Sequence, residues 1–337
     1  MASRPSISVI IPARDAAPTL DRTLSALRAQ TLKEPFEVIV VDDGSVDGTA
    51  SVAHRYAPLV RLIRSERSEG PGAARNRGVG AACAPVLAFT DSDCFPARDW
   101  LATGLRALAG ADLVQGAVAP DPDAPRTPFD RTVIVARDGG FYQTANVFLR
   151  RELFHSLGGF RDWAREPRTG EPRPGSPDRR RARASRTPIG EDTLFAWRAR
   201  RDGARVAFAA DALVHHAVVP GGVRDEIADR LHWSTDMPGL ARLVPELRQA
   251  TFYRRWFFHR KTARFDVALA AGAAALVSRR PAWLALAAPY AHWVAVEAGP
   301  WPAGRARARF VLGSLAIDGA TCWGLLTGSV RWRTVLL

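Results

Sequence analysis

In its first half the chain alternates short apolar runs with stretches in which apolar residues return every three or four positions. Residues 7–11, 36–41, 60–63 and 85–90 are runs of the first kind and predict the strands of a parallel sheet. Between them Leu20, Leu24 and Leu27 share one helical face, Asp47-Gly48-Thr49 reads as the opening of a helix, and residues 73–82 read as another. Strand and helix in turn predict an α/β fold with a Rossmann-like, doubly wound parallel sheet. A further strand at 145–149 leads into a helix carrying Glu152, Leu153 and Leu157 and closed by Gly158-Gly159.

The pattern then breaks. Residues 164–188 are rich in Pro, Gly, Arg and Ser and nearly free of apolar residues, a composition that predicts a mobile insertion. Order is predicted to return with an amphipathic helix around Leu194, Phe195 and Trp197 and a strand near Val206 and Phe208. These elements assign residues 1–220 to one catalytic domain and 221–337 to a helical region. In the latter, 265–277, 283–296 and 310–326 are apolar and rich in Ala, Leu and Trp. Spanning a bilayer takes ~20 apolar residues, which the first two runs lack, and the third carries Asp318. Two readings stay open: helices attached to a membrane, or a packed core or oligomer interface. Tryptophans and flanking arginines favour the membrane surface.

Length and charge bound the picture further. A chain of 337 residues exceeds the ~250–300 at which single cores stop growing, which fits one α/β domain with an appendage. The net charge of +13 comes from arginine, since Lys33 and Lys261 are the only lysines, and it is densest at Arg179, Arg180, Arg181, Arg183 and Arg186. An anionic membrane surface or a phosphate-bearing substrate is the predicted partner. No nucleic-acid-binding motif accompanies the charge, so nucleic acid is excluded as a partner. Cys83, Cys94 and Cys322 lack the spacing of a metal site or disulfide framework, and no apolar leader precedes the first strand. Both point to a cytoplasmic protein, acting at the inner face of the plasma membrane if its tail binds lipid.

In open α/β sheets ligands bind beyond the carboxyl ends of the strands. Every predicted strand here ends in polar chemistry: Asp15, then Asp42 and Asp43, then the loop Gly70-Pro71-Gly72, then Asp91-Ser92-Asp93. Asp91 and Asp93 offer hard oxygen ligands for a divalent cation, Mn2+ or Mg2+. Asp42 and Asp43 stand where a base or ribose hydroxyl would lie. Arg75 follows a glycine loop that admits close backbone approach to phosphate, and Glu191-Asp192 opens the helix after the insertion. Singly, each is ordinary: acidic turns solvate loops, and acids in a first helical turn complement the dipole.

Together and in this order, "SVIIPARD", "VIVVDDGSVDGT", "GPGAARNRGV", "LAFTDSDC", "ANVFLRRELFHSLGGF" and "GEDTLFAWRARRDG" resemble the motifs of the family-two inverting glycosyltransferases of the A-type (GT-A) fold. The resemblance covers residues 6–216. It implies a nucleoside-diphosphate sugar donor bound by Pro12, Ala13, Asp15, Asp42, Asp43, Arg75, Asp91 and Ser92, and a divalent cation held by Asp93. It further implies Asp192 as the base that takes the acceptor hydroxyl's proton. His215 or His216 falls where the family places a residue near the metal, and His215 is taken as the ligand. The acceptor is implied to be a carbohydrate, lipid-linked or part of a cell-envelope polysaccharide. The long stretch from Phe160 to Glu191 departs from the family's short loop. The absence of a Q-x-x-R-W signature implies single-sugar transfer. The competing readings are a nucleotidyl transferase, which would need a basic glycine-rich loop where Ala13-Arg14-Asp15 stands, and a non-catalytic scaffold that binds the sugar nucleotide.

Overall fold

The apolar run 7–11 becomes β1 (Ile7–Ala13), the centre of a parallel group. It pairs on one side with β2 (Phe36–Asp42), which pairs in turn with β3 (Val60–Arg64), and on the other with β4 (Val86–Thr90). Helices α1 (Ala17–Arg28), α2 (Thr49–His54) and α3 (Pro71–Ala81) make the crossovers. Leu20, Leu24 and Leu27 of α1 are fully buried against Val9, Ile11, Val38 and Val40 in one cluster, so the three-and-four spacing is the packing stripe the pattern predicts. The computed structural model describes residues 4–125, 127–161, 163, 189–301 and 303–337. The predicted insertion 164–188 lies outside them.

The second half of the sheet departs from the all-parallel expectation. After β5 (Cys94–Pro96), α4 (Trp100–Leu108) and β6 (Leu113–Pro120), strand β7 (Asn146–Arg150) runs antiparallel to both β4 and β6. Helices α5 (Arg151–Ser156) and α6 (Glu191–Arg201) precede β8 (Val206–His216), which lies parallel to β6 and antiparallel to β5. The resulting sheet is mixed, in the order β3-β2-β1-β4-β7-β6-β8-β5. Strand β7 is locked in place by its side chains. Asn146 accepts a hydrogen bond from Trp100 Nε1 at 2.9 Å and donates to the carbonyls of Ala117 and Ala212, both at 2.7 Å. Phe148 packs on Trp100 with ring centroids 4.8 Å apart and fills the notch at Gly104, where a Cβ would stand only 2.2 Å from its ring. Large side chain and missing side chain are complementary, as a close-packed interior requires.

The chain divides into two compact units. The first holds the described residues up to Ala124 together with Thr132–Ala217, and the second holds Pro125–Arg131 with Val218–Leu337. The second is helical: α7 (Val223–Leu243), α8 (Leu247–Ala250), α9 (Arg260–Ser278), a 3-10 helix (Pro281–Ala287), α10 (Ala288–Ala298) and α11 (Arg305–Trp332). Helices α7 and α11 approach closely because Gly324 and Gly328 leave no side chain between their backbone and Ser234, Thr235 and Pro238. Trp332 Nε1 donates to the Thr235 carbonyl at 3.1 Å where the two helices meet. Among the described residues α11 alone is long and apolar enough to cross a membrane. Asp318 on it accepts from Tyr290 at 2.7 Å and lies 3.3 Å from Lys261 Nζ, which also reaches Glu297 at 3.1 Å.

Candidate active site

The carboxyl ends of β1, β2 and β4 bring their polar residues to one edge of the sheet. Pro12 and Ala13 stand in register with Val41 and Asp42, and the Asp43 amide donates to the Ala13 carbonyl at 2.8 Å. Beyond them Asp15 adopts φ 47°, its amide donating to Ser45 Oγ at 3.0 Å and its Oδ1 accepting from the Val46 amide at 2.9 Å. The β1 and β2 loops are therefore stitched together.

The two adjacent carboxylates of that rim do different things. Asp42 is fully buried and turned inward; its Oδ1 accepts from the Ser45 amide at 2.8 Å and its Oδ2 lies 3.4 Å from Arg64 Nε. Asp42, expected among the donor contacts, thus has one carboxylate oxygen in its own turn and the other beside Arg64. Asp43 accepts from Ser68 Oγ at 2.7 Å and from the amides of Glu69 and Gly70, both at 2.9 Å. It clamps the loop that opens α3, in which Gly70 takes φ 94°, a conformation that glycine alone adopts readily.

Arg75, on the first turns of α3, is buried and spans two acids. Its Nη2 donates to Asp91 Oδ1 at 2.7 Å and its Nη1 to Glu191 Oε1 at 3.2 Å, joining the end of β4 to the start of α6. Next along α6, Asp192 accepts from the Thr193 amide at 2.7 Å and the Thr144 amide at 3.2 Å. Burial pushes Asp192 above the usual carboxylate range, with Arg75 opposing. Burial, reinforced by Asp192, carries Glu191 to about 7, again against Arg75. Glu191 was legible as one of an acidic pair, but its link to Arg75 depends on a contact across more than a hundred residues of chain.

Between the two acids, the Ser92 carbonyl accepts from Thr23 Oγ1 at 3.0 Å. Asp93 faces the other way along the edge, toward β8. Burial raises it, His216 opposing and Asp91 adding to the rise. Its Oδ1 lies 3.6 Å from His216 Nε2. The histidine beside Asp93 is thus His216 and not His215, whose Nδ1 lies 3.4 Å from the Pro120 carbonyl. Neighbours on a strand face opposite ways, and the pairing of Cys94 with His216 selects the latter.

The donor set fits a divalent cation. His216 Nδ1 lies 2.8 Å from the Ala217 carbonyl, which can only accept, so Nδ1–H donates there and the ring is held with Nε2 toward Asp93. A carboxylate oxygen beside an imidazole nitrogen is a ligand pair that Mn2+ accepts. Cys94 stands in the same cluster, and burial raises its thiol well above the ordinary value.

The mixed α/β sheet, with acids at the ends of its central strands, is of the GT-A-like fold class. Residues 8–161 match the model of glycosyl transferase family 2. It is 32% identical over 170 residues to "Glycosyltransferase AglE" of Haloferax volcanii, covering 46% of this chain and 56% of that protein. It is 39% identical over 110 residues to "Validoxylamine A glucosyltransferase" of Streptomyces hygroscopicus subsp. jinggangensis, covering 32% and 26%. The chain thus spans about half or less of these curated relatives. In fold it is similar to the mannosyltransferase PcManGT of Pyrobaculum calidifontis, solved with GDP-Man and Mn2+, at TM-score 0.53 and 20% identity over 98% of this chain and 88% of the other. A second similar structure is TarS 1-349 of S. aureus with UDP-GlcNAc, at TM-score 0.51 and 17% identity over 98% and 92%.

Proposed function

We propose that residues 1–220 form an inverting glycosyltransferase domain that moves a sugar from a nucleoside-diphosphate donor onto a carbohydrate or lipid-linked acceptor, with a divalent cation and on the cytoplasmic side of a membrane. Residues 221–337 are its helical appendage. The observation that carries the reading is the convergence of Asp91, Glu191 and Asp192 on Arg75, with Asp93 and His216 beside them. Acidic groups outnumber the one buried guanidinium at this edge, so a cation would favour the entry of an anionic diphosphate. Asp93 and His216 would hold such a cation, which would supply positive charge to the departing diphosphate. The donors of the solved neighbours, GDP-Man and UDP-GlcNAc, are of the same chemical class.

The chain's own residues supply the rest. Pro12, Ala13, Asp15 and Asp91 line the donor side, and Asp43 acts by holding the Gly70 loop and with it Arg75. Asp192 accepts the proton of the acceptor hydroxyl as that oxygen bonds to the anomeric carbon and the bond to the diphosphate breaks on the opposite face. Its raised affinity for protons makes it a stronger base than an ordinary carboxylate. Two backbone amides hold its carboxylate in a fixed orientation, so little reorganisation accompanies the transfer.

The test is thermal unfolding with UDP, GDP and dTDP, each with and without Mn2+. Native-state binding raises stability by about 2.7 kcal/mol at one hundred times Kd. A shift with one nucleotide that requires the metal and disappears in Asp93→Ala supports the donor site. No shift with any nucleotide overturns it.

A further inference from the structure

We infer that residues 276–286 of the helical unit form a docking tip for an anionic phospholipid surface, entering the interface without spanning the bilayer. From Leu276 to Leu286 eleven consecutive residues are exposed. Five of them are large and apolar: Leu276, Val277, Trp283, Leu284 and Leu286, with Leu276 81% and Val277 86% exposed. The 3-10 helix Pro281–Ala287 has no buried residue. Single exposed apolar side chains are ordinary on a soluble protein, but a contiguous set that includes all but the last residue of one element marks a contact surface.

Charge names the occupant. Arg279 ends α9 in the left-handed conformation at φ 56° and Arg280 follows it, so the chain turns between the apolar residues of α9 and those of the 3-10 helix. Among the described residues neither guanidinium has a carboxylate partner. An apolar patch with two unpaired arginines at its centre matches a phospholipid interface, where Leu, Val and Trp enter the acyl boundary and guanidinium groups meet phosphate at headgroup depth. A second copy of the chain fits less well, because a two-fold contact centred here brings the arginines of both copies together. The tip falls short of the ~20 residues needed to span a bilayer, so it enters only the interface. Nothing in this inference depends on the sugar-transfer chemistry.

Flotation of the full chain with vesicles tests it, using equal parts phosphatidylglycerol and phosphatidylcholine against phosphatidylcholine alone. The wild type is expected to float with the anionic vesicles. Leu276→Ser/Val277→Ser/Trp283→Ser/Leu284→Ser should lower the bound fraction by about tenfold, with thermal unfolding unchanged because these side chains are exposed. Arg279→Glu/Arg280→Glu should abolish the preference for anionic vesicles. The inference is overturned if the serine variant floats like the wild type, if binding ignores lipid charge, or if ultracentrifugation finds a dimer that the serine variant dissolves.

Discussion

The two units handle apolar surface in opposite ways. Among the described residues of the sheet unit, Val46 and Ile134 are the only large apolar side chains that stand exposed, while the others, from Val219 to Val335, all belong to the helical unit. Charge is distributed the other way. Asp42, Asp43, Arg75 and Asp121 are buried in the sheet unit, against Asp236 in the helical one. Burying a charge is costly unless it is paired and hydrogen-bonded, and the complete apolar core around β1 to β4 fixes the partners closely enough to meet that condition. The helical unit gets its cohesion from glycine contacts between α7 and α11 and leaves apolar faces outside. One unit is built to hold charges in place, and the other to meet something apolar.

That contrast predicts where substitutions act on chemistry, on stability or on neither. The largest effect belongs to Asp192→Asn, which keeps the shape of the site and removes the base. Transfer should fall by ~10²–10⁴, while the thermal shift with donor nucleotide and metal stays as in the wild type. A variant transferring at the wild-type rate would remove Asp192 from the mechanism. Next is Phe148→Ala, which empties the notch at Gly104 and strips one face of Trp100. Denaturant unfolding should show a loss of about 3–5 kcal/mol. A loss under 1 kcal/mol would mean that this core is not close-packed.

Much of this was legible in the chain, for a physical reason. Strands of a parallel sheet are short runs dominated by apolar residues, so 7–11, 36–41, 60–63 and 85–90 declare themselves even though Ser8, Glu37 and Arg61 fall within them, and with them the positions of Asp15, Asp43 and Asp91. Strand β6 was missed because Gln115 and Gly116 interrupt its run. Gln115 is buried only because Nε2 finds the Asn146 carbonyl at 2.8 Å, a partner thirty-one residues away. Strand β5, with three residues, has no period to read. Asp42 and Asp43 look alike locally, and only the folded turn sends one inward and the other to the Gly70 loop. His215 and His216 likewise differ only through the register of β8 against β5. Contacts set by distant strands carry little local signal.

Glu191 gives the next prediction. Its pKa rises from 4.5 to about 7 on folding, so between those values the native state holds a proton that the unfolded chain has released. Stability therefore declines as pH rises from about 4.5 to about 7 and stays lower above, by roughly 3 kcal/mol at most. Glu191→Gln should flatten that slope in denaturant titrations across the range. A slope unchanged from the wild type would place the proton elsewhere. Smaller again is the effect of His216→Ala, which should weaken the Mn2+ dependence of the nucleotide-induced thermal shift by roughly tenfold or more in metal concentration. His215→Ala should leave it nearly unchanged, and the reverse result would exchange their roles.

The smallest expected effect sharpens the contrast most. Leu276→Ser/Val277→Ser removes two large apolar side chains, a change that in the sheet unit would cost several kcal/mol. At the end of α9 these side chains already face water in the free protein, and the unfolded chain gains nothing further by exposing them. No cavity forms and no polar group is left without a partner, so neither mechanism behind large destabilisations operates. Unfolding of the pair in solution should stay within about 0.5 kcal/mol of wild type. A loss above 1 kcal/mol would mean that the tip is packed against protein in solution, and the helical unit would then be a second core with its apolar side covered.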